Sequence, residues 1–176
     1  MNKIAEILFD ERTIEKKVKE LSDRISRDYA GREPLLVSIL KGAIVFTADL
    51  MRSLTIPATI EFVQASSYGD ATVSSRKIVM KKDVDADVIK GKDVILVDCI
   101  IDTGDTMDYV MKRLREKGPS SLEAVVLLDK ISRRIVNVPV KYIGFEIPDR
   151  FVVGYGLDYA QRYRSLPYIA VIKQSA

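Results

Sequence analysis

At 176 residues, with 47% apolar and 30% charged side chains, the chain has the size and composition of one globular core. Its 28 basic and 25 acidic residues leave a formal charge of +3, too mild and too interspersed for a nucleic-acid backbone to be the main partner; small anions stay open. Histidine is absent and Cys99 is the single cysteine, which excludes intrachain disulfides, CxxC zinc or redox sites, HExxH metal sites and imidazole-dependent nucleophiles.

Acid and base work therefore falls to Asp, Glu, Lys, Tyr or Cys99, and the lone thiol points to a reducing, cytoplasmic setting. The opening "MNKIAEILFDER" carries charges too early for a signal peptide, and no stretch approaches the ~20 apolar residues of a membrane span, so no membrane partner is expected.

In chain order, "IAEILF" is a short extended piece, and Asp10 caps a long helix in which Ile14, Val18, Leu21 and Ile25 form a core-facing seam. "PLLVSIL" (34–40) is a buried strand, "KGAIVFTADLMRSL" a helix, and "ATIEFVQASS" a second strand. The small, polar "SSYGDATVSSR" (66–76) is too long for a hairpin turn and predicts a flexible flap. "RKIVMKK" and "DVILVDCI" are strands, the latter apolar on both faces as a central parallel strand requires. A helix over 106–117 turns Met107, Val110, Met111 and Leu114 to one side and ends at Gly118. "LEAVVLLDK", "VKYIGFEI", "FVVGYG" and "YIAVIK" complete the strands. Alternating strands and helices imply an α/β fold: a parallel sheet covered on both faces.

In such a sheet ligands bind at the carboxyl ends of the strands, where helix N-termini aim backbone N–H groups into the crevice. "VILVDCIIDTGDTM" (94–107) places Asp98, Asp102, Thr103, Gly104, Asp105 and Thr106 there. The turn offers backbone donors, two hydroxyls and the positive end of a helix dipole, a set that suits a phosphate dianion, with Gly104 allowing close approach. Asp98 and Asp102 would repel that dianion unless sugar hydroxyls or a cation intervene, and a phosphorylated sugar with Mg2+ removes the conflict. A bare DTG turn can equally be an ordinary capping turn; the longer apolar–acid–apolar–DTGxT pattern is far more specific.

That stretch closely resembles the phosphoribosyl pyrophosphate motif of the type I phosphoribosyltransferases. Over essentially the whole chain, "SILKGA" (38–43), "SSYGD" (66–70), "LLDK" (127–130) and "IPDRFVVGYGLDYAQRYRSLPYI" (147–169) resemble the hypoxanthine (guanine) branch. The resemblance implies a parallel-sheet core flanked by helices, with a small base-binding hood built from the N- and C-terminal segments of a single domain. It implies transfer of a 5-phosphoribosyl group from phosphoribosyl pyrophosphate to N9 of a 6-oxopurine with Mg2+, in a homodimer or homotetramer.

By the same likeness, residues from Thr103 to Thr106, Asp105 included, hold the 5′-phosphate. Asp102 serves N7 as general acid or base, and Asp98 faces the ribose and the metal. Leu40, Lys41 and Gly42 form the pyrophosphate loop, which in members includes a non-proline cis peptide. Ser67 and Tyr68 lie on the flap, Asp158 helps bind Mg2+, and Arg164 contacts pyrophosphate. Phe151 stacks on the purine, and the backbone of Val152 meets its edge. Lys130, a donor only, suits a carbonyl at purine position 6 and opposes the amino group of adenine. Alone, Lys130 would pass for a solvated strand end and Phe151 for core. Tyr155, Tyr159, Tyr163 and Tyr168 are expected in packing or interfaces.

Cys99 departs from the pattern, standing where members carry a second acid, in the phosphoribosyl pyrophosphate set. The expected consequence is weaker handling of that ligand without unfolding of the domain; the plainer reading is a small buried residue at a tolerant strand end. The carboxylate of Asp105 must turn away from a bound dianion, and Ile131, where members often carry proline, loosens a turn. "GYGLDYA" lacks the third fingerprint glycine and no GxxxxGK[ST] occurs, so dinucleotide and Walker-type readings fail. Two rivals remain: a non-catalytic phosphoribosyl pyrophosphate sensor, and an adenine or orotate phosphoribosyltransferase. Preference among hypoxanthine, guanine and xanthine stays open.

Overall fold

The computed structural model describes residues 4–68 and 77–173. Helix α1 (Glu11–Asp28) starts where Asp10 Oδ1 accepts a 2.8 Å hydrogen bond from the Thr13 N–H. Its seam of Ile14, Val18, Leu21 and Ile25 is almost wholly buried, as the spacing of four and three requires.

The main sheet contains β2 (Leu35–Leu40), β3 (Thr59–Tyr68), β4 (Lys77–Lys82), β5 (Asp93–Ile101), β6 (Ser121–Asp129) and β7 (Tyr142–Glu146), in the order β4-β3-β2-β5-β6-β7. All pairings are parallel except β3 with β4. Helices α1 and α2 (Ile44–Ser53) seal one face through Phe46, Leu50, Ile95, Val97 and Val125. Helix α4 (Asp105–Glu116) and the short α3 (Ala86–Ile89) seal the other through Val94, Leu96, Val110, Met111 and Val126. This is the covered parallel sheet that the alternation implies.

Two features differ from a wholly parallel reading. β4 runs antiparallel because the few residues between β3 and β4 are too short for a crossover, which needs a dozen or more. Ser67 and Tyr68 have backbone partners Ile78 and Lys77 where β3 and β4 pair, so the first residues of the segment expected to be a flap are strand. The remainder of that flap, 69–76, lies outside the described residues.

Second, β1 (Ile4–Phe9) pairs antiparallel with β9 (Ile169–Ile172), which pairs with β8 (Val152–Val153), giving a separate three-stranded sheet from the two ends of the chain. Phe9 stacks on Phe145 of β7 with ring centroids 4.0 Å apart, and Glu6 pairs with Arg150 at 2.5 Å, which locks the small sheet over the carboxyl end of the main one.

Candidate active site

Strands β2, β5 and β6 end side by side, and their last residues feed three loops into one crevice. The β5 loop turns at Gly104, whose φ of +93° favours glycine, and runs into α4. A β-carbon at this position would lie 2.6 Å from the Val136 carbonyl oxygen. The Thr103 carbonyl accepts from the N–H groups of Ile135 and Val136 at 2.9 and 3.0 Å, so the segment after β6 buttresses the turn from behind. The Asp105 N–H donates to the Thr103 hydroxyl at 3.5 Å and the Asp108 N–H to the Gly104 carbonyl at 2.9 Å, and the positive end of the α4 dipole, which favours anions, lies at this turn. The Asp105 carboxylate accepts a 2.8 Å hydrogen bond from the Thr103 hydroxyl, turned onto its own loop.

Asp102 lies between two cations. Lys130 Nζ is 3.5 Å from Oδ2, and Arg133 Nε is 2.7 Å from Oδ1. The second contact is an ion pair without hydrogen-bond alignment, since Oδ1 is buried and accepts no hydrogen bond. Arg133 also reaches Asp149 at 3.3 Å, and Lys130 approaches Asp149 at 3.8 Å, so cations and carboxylates alternate. The Asp102 charge first, then that of Asp149, pushes the Arg133 pKa above its ordinary value. Lys130 is only 8% exposed in its side chain, which removes the reading of a solvated strand end. Phe151 is 39% exposed, unlike a core phenylalanine, and Tyr159 meets its ring edge-on at 5.6 Å. Tyr159 thus packs against Phe151, at the rim of the crevice. Val152 is buried in β8 beside it.

On the other flank, the loop after β2 contains a cis peptide between Leu40 and Lys41, as the resemblance implies. Ser38 and Thr47 share a buried 2.7 Å hydrogen bond and Thr47 donates to the Ala43 carbonyl, which pins the loop to α2. Gly156, at φ +95°, packs against the Gly42 carbonyl with no room for a side chain. Gln161 accepts from Lys41 Nζ at 3.4 Å and from Arg164 at 3.1 Å, joining this loop to the turn after β8. Tyr155 is buried, and its hydroxyl donates to Asp49 at 2.7 Å. A cavity of about 740 Å³ between α1, α2 and 164–167 shares Arg164 and Tyr155 with this flank but contains none of Asp102, Thr103 or Lys130, so the chemistry is assigned to the crevice.

The proposed Mg2+ ligands form a sparse set. Asp158 accepts from the Gln161 N–H at 2.8 Å and pairs with Arg164 at 2.7 Å, and Asp98 Oδ1 accepts from the Cys99 N–H at 2.7 Å. Among the described residues no cluster of three acidic or thiol groups encloses an ion. A cation that keeps several waters and takes one or two carboxylates plus ligand phosphates fits this arrangement; an all-protein cage does not.

Cys99, expected in the phosphoribosyl pyrophosphate set, packs in the core instead of reaching the crevice. Its side chain is fully buried on the α1/α2 face of β5, where Sγ makes a weak 3.8 Å contact with the Tyr155 carbonyl and presents nothing to a ligand. Burial, then the charge of Asp98, pushes the thiol well above its ordinary pKa. Period-two alternation along β5 explains this: Asp98 and Cys99 face opposite sides of the sheet. Arg133 is the site residue that sequence motifs did not mark, and only its position three residues after Lys130 hinted at it.

This geometry defines a sheet-end crevice with an anion turn, a cationic flank and an aromatic rim. Residues 5–160 match the family described as Phosphoribosyl transferase domain. The hypoxanthine-guanine phosphoribosyltransferase of Bacillus subtilis is 44% identical, with 97% of this chain and 94% of the relative covered. The hypoxanthine phosphoribosyltransferase of Escherichia coli K12 is 46% identical, with 98% and 97% covered. A crystal structure of a Bacillus anthracis hypoxanthine-guanine phosphoribosyltransferase superposes with a TM-score of 0.91 at 43% identity, covering 97% of this chain and 100% of that one. The chain belongs to the phosphoribosyltransferase family, in its hypoxanthine(-guanine) branch.

Proposed function

We propose that the chain is a purine salvage enzyme that transfers the 5-phosphoribosyl group of phosphoribosyl pyrophosphate to N9 of hypoxanthine or guanine. The observation that carries this reading is the pair at the end of β5 and β6: an acceptor, Asp102 Oδ2, and a donor, Lys130 Nζ, 3.5 Å apart. A 6-oxopurine protonated at N7 presents the complementary donor and acceptor on adjacent atoms of one edge, whereas the 6-amino group of adenine would face the ammonium of Lys130. Phe151 supplies a flat apolar face for the ring.

In this reading the amides of 103–106 seat the 5′-phosphate, and Asp98 faces the ribose hydroxyls. Lys41, the 40–42 backbone and Arg164 draw the pyrophosphate. The N9–C1′ bond forms as the bond from C1′ to the pyrophosphate oxygen breaks. Pyrophosphate departs with the electron pair and Asp102 receives the N7 proton. Charge develops as a cation on the ribose and as anion on the leaving group, so positioning and neutralisation are the main tasks. Mg2+, when bound through Asp158 and ligand oxygens, would supply further charge neutralisation at the leaving group. Closure of the segment containing Ser67 and Tyr68 would keep water from the sugar cation. Assembly into a homodimer or homotetramer and a cytoplasmic setting belong to the same reading and rest on the family likeness. A non-catalytic sensor finds no support among the relatives, which bear enzyme names.

Incubation with phosphoribosyl pyrophosphate, Mg2+ and each purine in turn tests the proposal. Pyrophosphate release with hypoxanthine or guanine is expected, and binding without release would overturn it.

A further inference from the structure

The turn that contains Lys130 continues through a 3₁₀ segment, Ile131–Arg133, in which Arg133 is the charged residue and has no role in the reaction as described. Its guanidinium covers Asp102 Oδ1, which is buried although the Asp102 side chain as a whole is 42% exposed. The other oxygen stays beside Lys130 at the crevice. Arg133 Nη1 lies 3.4 and 3.3 Å from the two oxygens of Asp149, two residues before Phe151. One guanidinium thus connects the acid at the end of β5 to the segment that presents the aromatic ring.

We propose that Arg133 is a positioning residue that fixes the plane of the Asp102 carboxylate, so that Oδ2 alone is presented to N7 of the purine. The proposal rests on the 6-oxopurine reading above and adds a determinant to it. A carboxylate at the end of a strand turns readily about its last torsion, where the energy profile is broad. Lys130 by itself would attract either oxygen. Arg133, held at its far end by Asp149, removes one of them from competition, and the acceptor–donor pair then keeps one register against the base. The Arg133 side chain is 45% exposed, so a merely structural role at this position predicts a nearly silent substitution.

The test is steady-state turnover of hypoxanthine at saturating phosphoribosyl pyrophosphate and Mg2+, for the unmodified enzyme, Arg133→Ala, Arg133→Lys, Asp102→Asn and the Arg133→Ala/Asp102→Asn pair. The expected loss in kcat for Arg133→Ala is about 10- to 100-fold, the scale of an ångström-level misplacement. The KM for phosphoribosyl pyrophosphate should stay within about twofold, because Arg133 does not touch the 103–106 amides. Arg133→Lys should recover part of kcat, since it restores charge without the fork. In the Asp102→Asn background, Arg133→Ala should cost less than about threefold, because its effect runs through that carboxylate. A kcat for Arg133→Ala within about threefold of the unmodified enzyme overturns the proposal, as does an equal loss in both backgrounds. Should Arg133→Ala fail to fold, Arg133→Gln, which keeps most of the stem, replaces it under the same criteria. An unmodified enzyme that does not turn over hypoxanthine overturns the underlying reading and this proposal with it; activity there with silent variants overturns this proposal alone.

Discussion

Asp129 and Arg134 form a two-pronged ion pair at the foot of the turn that contains Lys130 and Arg133, with Nε–Oδ1 at 3.1 Å and Nη2–Oδ2 at 3.0 Å. Asp129 is 2% exposed, and its carbonyl accepts from the Ile147 N–H at 2.8 Å, so the pair sets where β6 stops and the turn begins. Arg134→Ala leaves that carboxylate buried and unpaired, and the expected cost is about 3–5 kcal/mol in urea unfolding at pH 7. Arg134→Lys should fall between, because a point charge cannot reproduce the fork. A loss under about 1 kcal/mol for Arg134→Ala would mean that the pair does not hold the turn.

Gly104 occupies a backbone conformation that disfavours side chains, and an added methyl would press on the Val136 carbonyl. Gly104→Ala should therefore displace the 103–106 turn. The conformational strain alone costs about 1–3 kcal/mol. The larger effect is expected in kcat/KM for phosphoribosyl pyrophosphate, down about 100-fold or more. Kinetics at varied phosphoribosyl pyrophosphate check this, and an unchanged kcat/KM would remove the turn from the anion site.

Burial pushes the Asp98 carboxyl up to about 7, against the opposing pull of the Cys99 and Ile100 N–H groups. The residue as a whole is only partly buried, yet burial dominates at its carboxyl. A carboxyl whose pKa is raised on folding favours the folded state least when ionised. In the ligand-free protein, stability should therefore fall as pH rises from the ordinary carboxyl value of 3.8 to about 7 and level off above it. Melting temperatures at pH 5.5 and 8.5 should show this fall, and Asp98→Asn should flatten it. An equal slope in both proteins would contradict the assignment.

Cys99 packs in the core, so a carboxylate at its position would face the protein interior rather than phosphoribosyl pyrophosphate. Cys99→Asp would place a carboxylate against the Tyr155 carbonyl in the core. The expected outcome is a loss of stability of about 2–4 kcal/mol that grows as pH rises and the new carboxyl ionises, with no gain in kcat/KM. Unfolding at pH 5.5 and 8 with parallel kinetics checks both halves. A more active, equally stable variant would show that the thiol weakens the handling of phosphoribosyl pyrophosphate.

Much of the fold was legible because its signals are local. The Ile14, Val18, Leu21 and Ile25 spacing, the Asp10 cap and the apolar run of β5 each predict an element that the structure contains. The turn at 102–106 was legible because an acid–apolar–DTGxT string ending a buried strand has few other uses. Pairing of β1 with β9 was not readable from periodicity, since it joins segments from opposite ends of the chain. Only the likeness to the family pointed to it. The burial of Cys99 was legible as the plainer of its two readings, because period-two alternation turns it away from the side that Asp98 faces. Arg133 was missed because an exposed arginine on a short turn looks solvated until Asp102 and Asp149 are found on either side of it.

The account turns on Lys130 reading a carbonyl on the purine, and the hypoxanthine-to-adenine ratio of kcat/KM in the unmodified enzyme and in Lys130→Met tests this most directly. A site built around one hydrogen-bonded group rejects the mismatched analogue by about 10⁴, so the unmodified enzyme should favour hypoxanthine by a factor of that order. In Lys130→Met the ratio should collapse to about tenfold or less, mainly through loss of hypoxanthine turnover. A ratio unchanged by the substitution, or comparable turnover of adenine by the unmodified enzyme, would contradict the account.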